Sequence, residues 1–129
     1  MRDLKSSDRI SSRSKPQVAR NAWQRLLDMI ESHGSVRSGT TGVRRWRLFE
    51  DPFGDGADAV YGLDEPLARL VQTIRAGARG LGPERRVVLL HGPVGSSKST
   101  IARTLKRGLE EYSRTDEGAL YTFSWDVDG

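Results

Sequence analysis

The spacing of apolar side chains predicts three amphipathic helices. Across residues 18–33 apolar positions recur at steps of three and four, and Gly34 is placed to end this first helix. A second helix is predicted to open at residues 61–65 and to continue to Ala78, with Pro66 tolerated in its first turn. A third helix follows a Gly- and Ser-rich loop. Its predicted inward-facing residues are Ile101, Leu105, Gly108 and Leu109.

Shorter apolar runs predict three strands. Residues 44–50 alternate in polarity and stop at Asp51-Pro52, which indicates a short strand. Residues 87–90, VVLL, are all apolar, which is typical of a parallel strand buried on both faces. Residues 119–125 form the third run, so that strand, loop, helix, turn and strand follow one another as a βαβ unit. The predicted fold class is an α/β layered fold.

Composition divides the chain into three regions. Residues 1–17 are rich in Ser, Arg and Lys, and predict a mobile basic tail. Residues 18–60 hold the first helix and a linker, and residues 61–129 hold the second helix and the βαβ unit. Because two parallel strands make a poor core on their own, the pattern predicts the front part of a longer domain.

Charge and composition narrow the function classes. The 129 residues include no cysteine, which excludes a disulfide framework, a thiolate metal site and a cysteine nucleophile. An apolar run of about 18 residues and a readable secretory signal are both lacking, which predicts a cytoplasmic protein without a membrane partner. The net charge is +4, and residues 1–50 hold 11 Lys and Arg against 5 Asp and Glu. These basic residues are scattered, apart from RRWR at 44–47, and this weighs against a nucleic-acid site.

Residues 92–99, GPVGSSKS, match the phosphate-loop pattern G-x-x-x-x-G-K-[ST] except that Ser97 replaces the second glycine. Phosphates bind where unpaired N–H groups converge at the positive end of a helix. Lys98 is predicted to place its ammonium between the β- and γ-phosphates, and Ser99 to offer its hydroxyl to Mg²⁺. Thr100 lies in reach of the α-phosphate region. The predicted phosphate-binding residues are Gly92, Pro93, Val94, Gly95, Ser96, Ser97, Lys98, Ser99 and Thr100.

Ser97 decides how well this loop works. A Cβ at a glycine position costs about 1 kcal/mol if φ is positive, which weakens binding roughly fivefold without abolishing it. The alternative interpretation is a strand-to-helix turn with an incidental lysine. The apolar run before the loop and the amphipathic helix after it favour a phosphate loop.

Other polar residues are weaker candidates. His91 follows the apolar run and could contact a nucleotide, although packing beside the loop is the favoured interpretation. His33 fits a helix terminus. Carboxylates that could hold a metal, but that need no such role at a helix start or a chain end, are Asp64, Glu65, Asp126 and Asp128.

The chain resembles the N-terminal AAA-type ATPase domain of the bacterial PrkA serine protein kinases. The resemblance extends from about Val18 to Trp125, and rests on the strings YGLDE at 61–65, GPVGSSKST at 92–100, LKRGLEEY at 105–112 and TDEGALY at 115–121. It implies a cytoplasmic, ATP- and Mg²⁺-binding protein, with a P-loop NTPase core of AAA type in residues 61–129. In such domains the segment like Tyr61-Gly62-Leu63 lies near the adenine, which implies that role for these three residues.

The same resemblance leaves the activity open. It implies a serine protein kinase, yet neither an H-R-D nor a D-F-G pattern occurs here. The residues ALYTFSWDVDG at 119–129 depart from the family, and no sensor segment, arginine finger or acidic Mg²⁺-binding strand is identifiable. We therefore expect ATP to be bound while catalysis stays incomplete in this chain. The alternative is an AAA-type motor that remodels or degrades protein clients; the protein substrate and homo-oligomer formation in a longer protein stay open.

Overall fold

Helices account for most of the regular structure. The structure, a computed structural model, describes residues 2–3, 19–92, 97–122 and 124. Within these it contains the helices α1 (Ala22–Ser32), α2 (Asp64–Ala78) and α3 (Lys98–Tyr112), so all three predicted helices are confirmed. The strands are short: β1 (Arg2–Asp3), β2 (Ser35–Arg37), β3 (Arg44–Trp46) and β4 (Tyr121–Thr122). The fold is a mixture of helix and sheet.

Local side chains set the ends of α1. Asn21 accepts a hydrogen bond from the Gln24 backbone N–H at 2.9 Å, and the Gln24 side chain accepts one from the Asn21 N–H at 3.0 Å. This capping box starts the helix at Ala22, later than the periodicity predicted, because it fixes Asn21 in an extended conformation. Gly34 adopts a φ of 77° directly after the His33 cap, which confirms its predicted role in ending the helix.

The core lies where α1 packs against α2 and α3. Two glycines allow this close approach: a Cβ at Gly77 would lie 2.7 Å from the Trp23 ring, and one at Gly108 would lie 2.6 Å from the Met29 sulfur. Overpacking of this kind is destabilising, so both positions favour glycine in spite of its low helix propensity. The buried residues that form this core cluster are Met29, Ile30, Trp46, Leu48, Phe49, Val60, Leu67, Val71, Ile74, Ile101 and Tyr112.

The strand predicted at residues 44–50 is only half formed. β3 pairs antiparallel with β2, in a register that places Trp46 opposite Ser35, and ends at Trp46. A 3₁₀ turn, Arg47–Glu50, replaces the rest. Successive side chains of a strand face opposite sides, whereas Leu48 and Phe49 are both buried in one core. The turn resolves this conflict because it directs both side chains inward.

The strand predicted at residues 87–90 is absent, and that prediction is wrong for this structure. The segment has no regular hydrogen-bonded structure, and the Val87 and Leu89 side chains are 92% and 79% exposed. Only Leu90 packs against the core. Within the described part of the chain no strand lies beside it, so the βαβ unit is not formed: β4 pairs in parallel with β1 instead.

The outer parts of the chain are described only in short stretches. The predicted mobile tail at 1–17 lies outside the described residues except for Arg2–Asp3. The strand predicted at 119–125 is seen at Tyr121–Thr122, and residues 123 and 125 lie outside the described part of the chain. In the described ranges, no helix has the length and apolar character needed to cross a membrane.

Candidate phosphate-binding site

Ser97, at the position where the phosphate-loop pattern has glycine, adopts a left-handed backbone conformation that favours glycine. It is the N-cap of α3, with φ 65° and ψ 9° in the left-handed region, and its side chain makes no capping hydrogen bond. Its carbonyl oxygen accepts the first helical bond, from the Ile101 N–H at 2.9 Å. The sequence predicted backbone strain at Ser97 if its φ were positive. The φ is positive, so this strain is present.

Ser97→Gly is expected to raise the free energy of unfolding by about 0.5–1 kcal/mol, because it relieves this strain and removes no capping bond. Urea denaturation measures the change. Ser99→Gly, inside the first turn of α3, is the matched control and is expected to destabilise by about 0.5 kcal/mol. Equal effects of the two variants would contradict the assigned backbone strain.

Lys98 spans the loop. Its ammonium donates a hydrogen bond to the carbonyl oxygen of Gly92, which joins the start of the loop to the first residue of α3. Ser99 is exposed and Thr100 is half-buried beside it. The structure thus brings Gly92 together with Ser97–Thr100, while Pro93, Val94, Gly95 and Ser96 lie outside the described residues.

The electrostatics at this helix end favour an anion. The first N–H groups of an α-helix have no partner within the helix, and the helix dipole is positive there. The first turn of α3 contains no acidic residue, and the Lys98 ammonium adds a positive charge. Such a donor set fits phosphate, and the Ser99 hydroxyl is a ligand type that Mg²⁺ accepts while it keeps most of its waters.

The loop after the 3₁₀ turn, which the sequence predicted only as part of a linker, is fixed against α3. In this 51–60 loop (residues 51–60), Asp51 is buried and left-handed, and its carboxylate accepts a hydrogen bond from the Asp58 N–H at 3.1 Å. Arg103 on α3 pairs with the Asp58 carboxylate, and Arg107 donates to the Phe53 carbonyl oxygen at 2.6 Å. The sequence contains only a weak signal for these contacts: Arg103 and Arg107 lie four residues apart, on one face of the predicted helix, and residues 54–59 are acidic and Gly-rich.

The residues Tyr61-Gly62-Leu63 follow this loop and form a short turn, exposed at Tyr61 and Gly62, which we call the exposed arch. Val60 is anchored, because its N–H bonds the Phe49 carbonyl oxygen at 2.8 Å, and Leu63 packs against the core. Between them the Tyr61 side chain is 75% exposed and Gly62 has a φ of 73°. An aromatic ring is thus presented to solvent on a short, well-anchored turn.

The carboxylate candidates that the structure describes, Asp64 and Glu65, pair with arginines outside residues 92–100. Asp64 lies 3.7 Å from the Arg45 Nε and Glu65 pairs with Arg69, so both form ordinary ion pairs. His91 is exposed, so the predicted packing of its side chain is wrong. Asp126 and Asp128 lie outside the described residues. Across the residues that the structure describes, no group of three His, Asp or Glu side chains could hold a metal ion.

His33 packs edge-on against Phe53, with ring centres 5.2 Å apart and an interplanar angle of 88°. Burial lowers the pKa of this imidazole from its ordinary value of 6.5. The unfolded chain therefore binds more protons just below pH 6.5. The contribution of His33 to the free energy of unfolding is therefore fully present above pH 6.5. It falls as the pH drops from 6.5 toward the lower pKa of the folded state.

We expect His33→Gln to reduce the loss of stability between pH 7 and pH 5, because the variant has no imidazole to protonate on unfolding. Urea denaturation at three pH values measures the slope. The exposed His91→Gln is the control and is expected to keep the original slope. An unchanged slope in His33→Gln would contradict the assignment.

The comparisons with known proteins settle the family. The model of the PrkA AAA domain matches residues 9–125. The chain belongs to the PrkA family. It is 36% identical over 107 residues to the ATP-dependent protease PrkA of Bacillus subtilis (strain 168), a match that covers 82% of this chain and 16% of the relative's length. No solved structure matches the chain.

Two of the strings that resemble PrkA proteins meet in a buried contact around Tyr112. Arg25 of α1 donates to the Ser113 hydroxyl and to the Gly118 carbonyl oxygen, each at 2.9 Å, and its guanidinium lies 5.9 Å from the Tyr112 ring centre. Burial raises the pKa of Tyr112. Since Tyr112 lies about 21 Å along α3 from Lys98, this contact joins the helices at the end of α3 that is remote from residues 92–98.

Proposed function

We propose that the chain binds MgATP through residues 92–100. The observation that carries this proposal is the Lys98 ammonium held across the loop to Gly92, at a helix N-terminus whose N-cap has the glycine-type conformation. Membership of a family defined by an AAA domain supports it, because AAA domains bind nucleotide, usually with Mg²⁺.

The proposed roles follow the order of the residues. Backbone N–H groups between Gly92 and Ser97, except at Pro93, which has none, surround the phosphates, and Lys98 neutralises the β- and γ-phosphates. The Ser99 hydroxyl holds Mg²⁺, whose charge offsets that of the triphosphate, and Thr100 lies toward the α-phosphate. The exposed arch Tyr61-Gly62-Leu63 is proposed to contact the adenine.

Removing Mg²⁺ tests the role of Ser99. In the unmodified chain, chelation of Mg²⁺ is expected to weaken ATP binding about tenfold, the scale of one charge-assisted contact. Ser99→Ala is expected to bind ATP with nearly the same affinity with and without Mg²⁺. Isothermal titration calorimetry measures both, and Ser38→Ala, between β2 and β3 and outside the proposed site, is the control. A Mg²⁺ effect of equal size in Ser99→Ala would contradict this role.

We propose further that ATP drives an AAA-type motor in a longer protein. The relative's name, ATP-dependent protease, favours an AAA-type motor that acts on protein clients over the serine kinase that the sequence resemblance implied. The chain spans 16% of that relative's length, so this activity is proposed for a longer protein. Incubating the Bacillus subtilis relative with γ-labelled ATP and a protein substrate distinguishes the two: free phosphate with client cleavage supports the motor, whereas label on serine supports the kinase.

A further inference from the structure

The ion pair between Arg103 and Asp58 joins α3 to the chain that leads into Tyr61. Arg103 follows Lys98 by five residues, about 7.5 Å along the helix axis. Its Nη2 lies 2.9 Å from Asp58 Oδ1 and its Nε 3.3 Å from Oδ2, a two-point contact in which the planar guanidinium fixes direction as well as distance. Asp58 precedes Tyr61 by three residues, so the pair links the phosphate-loop helix to the exposed arch.

The partner of Arg103 is itself held in place. The Asp58 N–H bonds the Asp51 carboxylate, and Asp51 is 6% exposed. Gly54 fits against this carboxylate so closely that an added Cβ would lie 2.8 Å from Asp51 Oδ2. The backbone bond from Val60 to Phe49 holds the other end. A displacement of Asp58 by Arg103 would therefore be passed to the arch, because the chain between Asp58 and Tyr61 is short and anchored.

We propose that Arg103 and Asp58 are positioning residues that set the place of Tyr61 relative to the phosphate loop, so that a base and a triphosphate are held at once. The inference rests on the proposed MgATP site and adds a determinant of ligand class: nucleoside triphosphates over inorganic polyphosphate. The arch needs such a link because Gly62 is left-handed and the Tyr61 ring is mostly exposed. Two contacts on one ligand reinforce each other only when their spacing is fixed.

Calorimetric titration of the 129-residue chain with MgATP and with Mg²⁺-tripolyphosphate tests this. Arg103→Ala is expected to weaken MgATP binding about fivefold, the upper range for an exposed ion pair, and to change tripolyphosphate binding less than twofold. Asp58→Ala is expected to do the same, because its backbone bond to Asp51 survives. The exchange Arg103→Asp with Asp58→Arg is expected to recover most of the loss. Arg114→Ala, which breaks the pair with Glu111 at the far end of α3, is the control and leaves both ligands unaffected.

The outcomes separate this inference from the proposed function. Unchanged MgATP binding in Arg103→Ala overturns the positioning role alone. An equal loss for both ligands also overturns it, because it would mean that Arg103 contacts phosphate directly or supports the whole fold. Failure of the unmodified chain to bind MgATP overturns the proposed function and this inference together.

Discussion

Replacing Gly118 by alanine is expected to lower the free energy of unfolding by about 3 kcal/mol, because the added methyl group overlaps the Tyr112 carbonyl oxygen. The methyl group would also lie 2.6 Å from the Tyr112 ring. No rotamer change relieves the first overlap, since the oxygen belongs to the backbone of the last turn of α3. Moving Gly118 away would withdraw its carbonyl from Arg25, a buried guanidinium that depends on this acceptor.

Thermal or urea unfolding measures the effect, which corresponds to roughly 10–20 °C in Tm for a domain of this size. Gly39→Ala is the matched control, because nothing lies within 4 Å of a Cβ at Gly39 and its φ is not positive. That variant is expected to be neutral or slightly stabilising. If both variants shift the midpoint equally, the packing around Tyr112 is not what the structure describes.

Lys98→Ala is expected to weaken MgATP binding about thirty- to hundredfold, because it removes the ammonium that neutralises the β- and γ-phosphates. The free energy of unfolding is expected to stay nearly unchanged in this variant, because the described partner of the Lys98 side chain is one backbone carbonyl, that of Gly92 at the start of the loop. Titration calorimetry gives the affinity and urea denaturation the stability.

Lys106→Ala is the matched control for this variant. Lys106 lies on the same helix about two turns further on, is exposed, and is not part of the proposed site. Its replacement is expected to leave the affinity for MgATP within twofold. A comparable loss in both variants would mean that α3 attracts ATP only through its general charge.

The three helices, and the turn at Ser97 that precedes α3, were predictable because their signals are local. The three- and four-residue spacing of apolar side chains predicted α1, α2 and α3. Gly34 predicted the end of α1, where its backbone has a positive φ. The position of Ser97 at the glycine site of the loop, with the strain that follows, was likewise readable from the motif. Lys98 and the start of α3 follow directly from it.

The features that the sequence did not predict depend on distant neighbours. The VVLL run at 87–90 has the composition of a buried strand, but composition does not specify a partner, and the structure leaves Val87 and Leu89 exposed. Leu48 and Phe49 are neighbouring apolar residues, which a strand would direct to opposite faces. Only the position of the core shows that both side chains are buried on the same side. The pair of Arg103 with Asp58 joins residues 45 apart in sequence, so only the packing of the 51–60 loop on α3 brings them together.

Thermal unfolding of the 129-residue chain with and without MgATP tests whether residues 92–100 form an ATP site. At a concentration of MgATP about 100 times its Kd, binding is expected to stabilise the native state by about 2.7 kcal/mol. We expect a clear rise in Tm for the unmodified chain and a rise that is nearly lost in Lys98→Ala. No shift at millimolar MgATP, or an equal shift in Lys98→Ala, would contradict it.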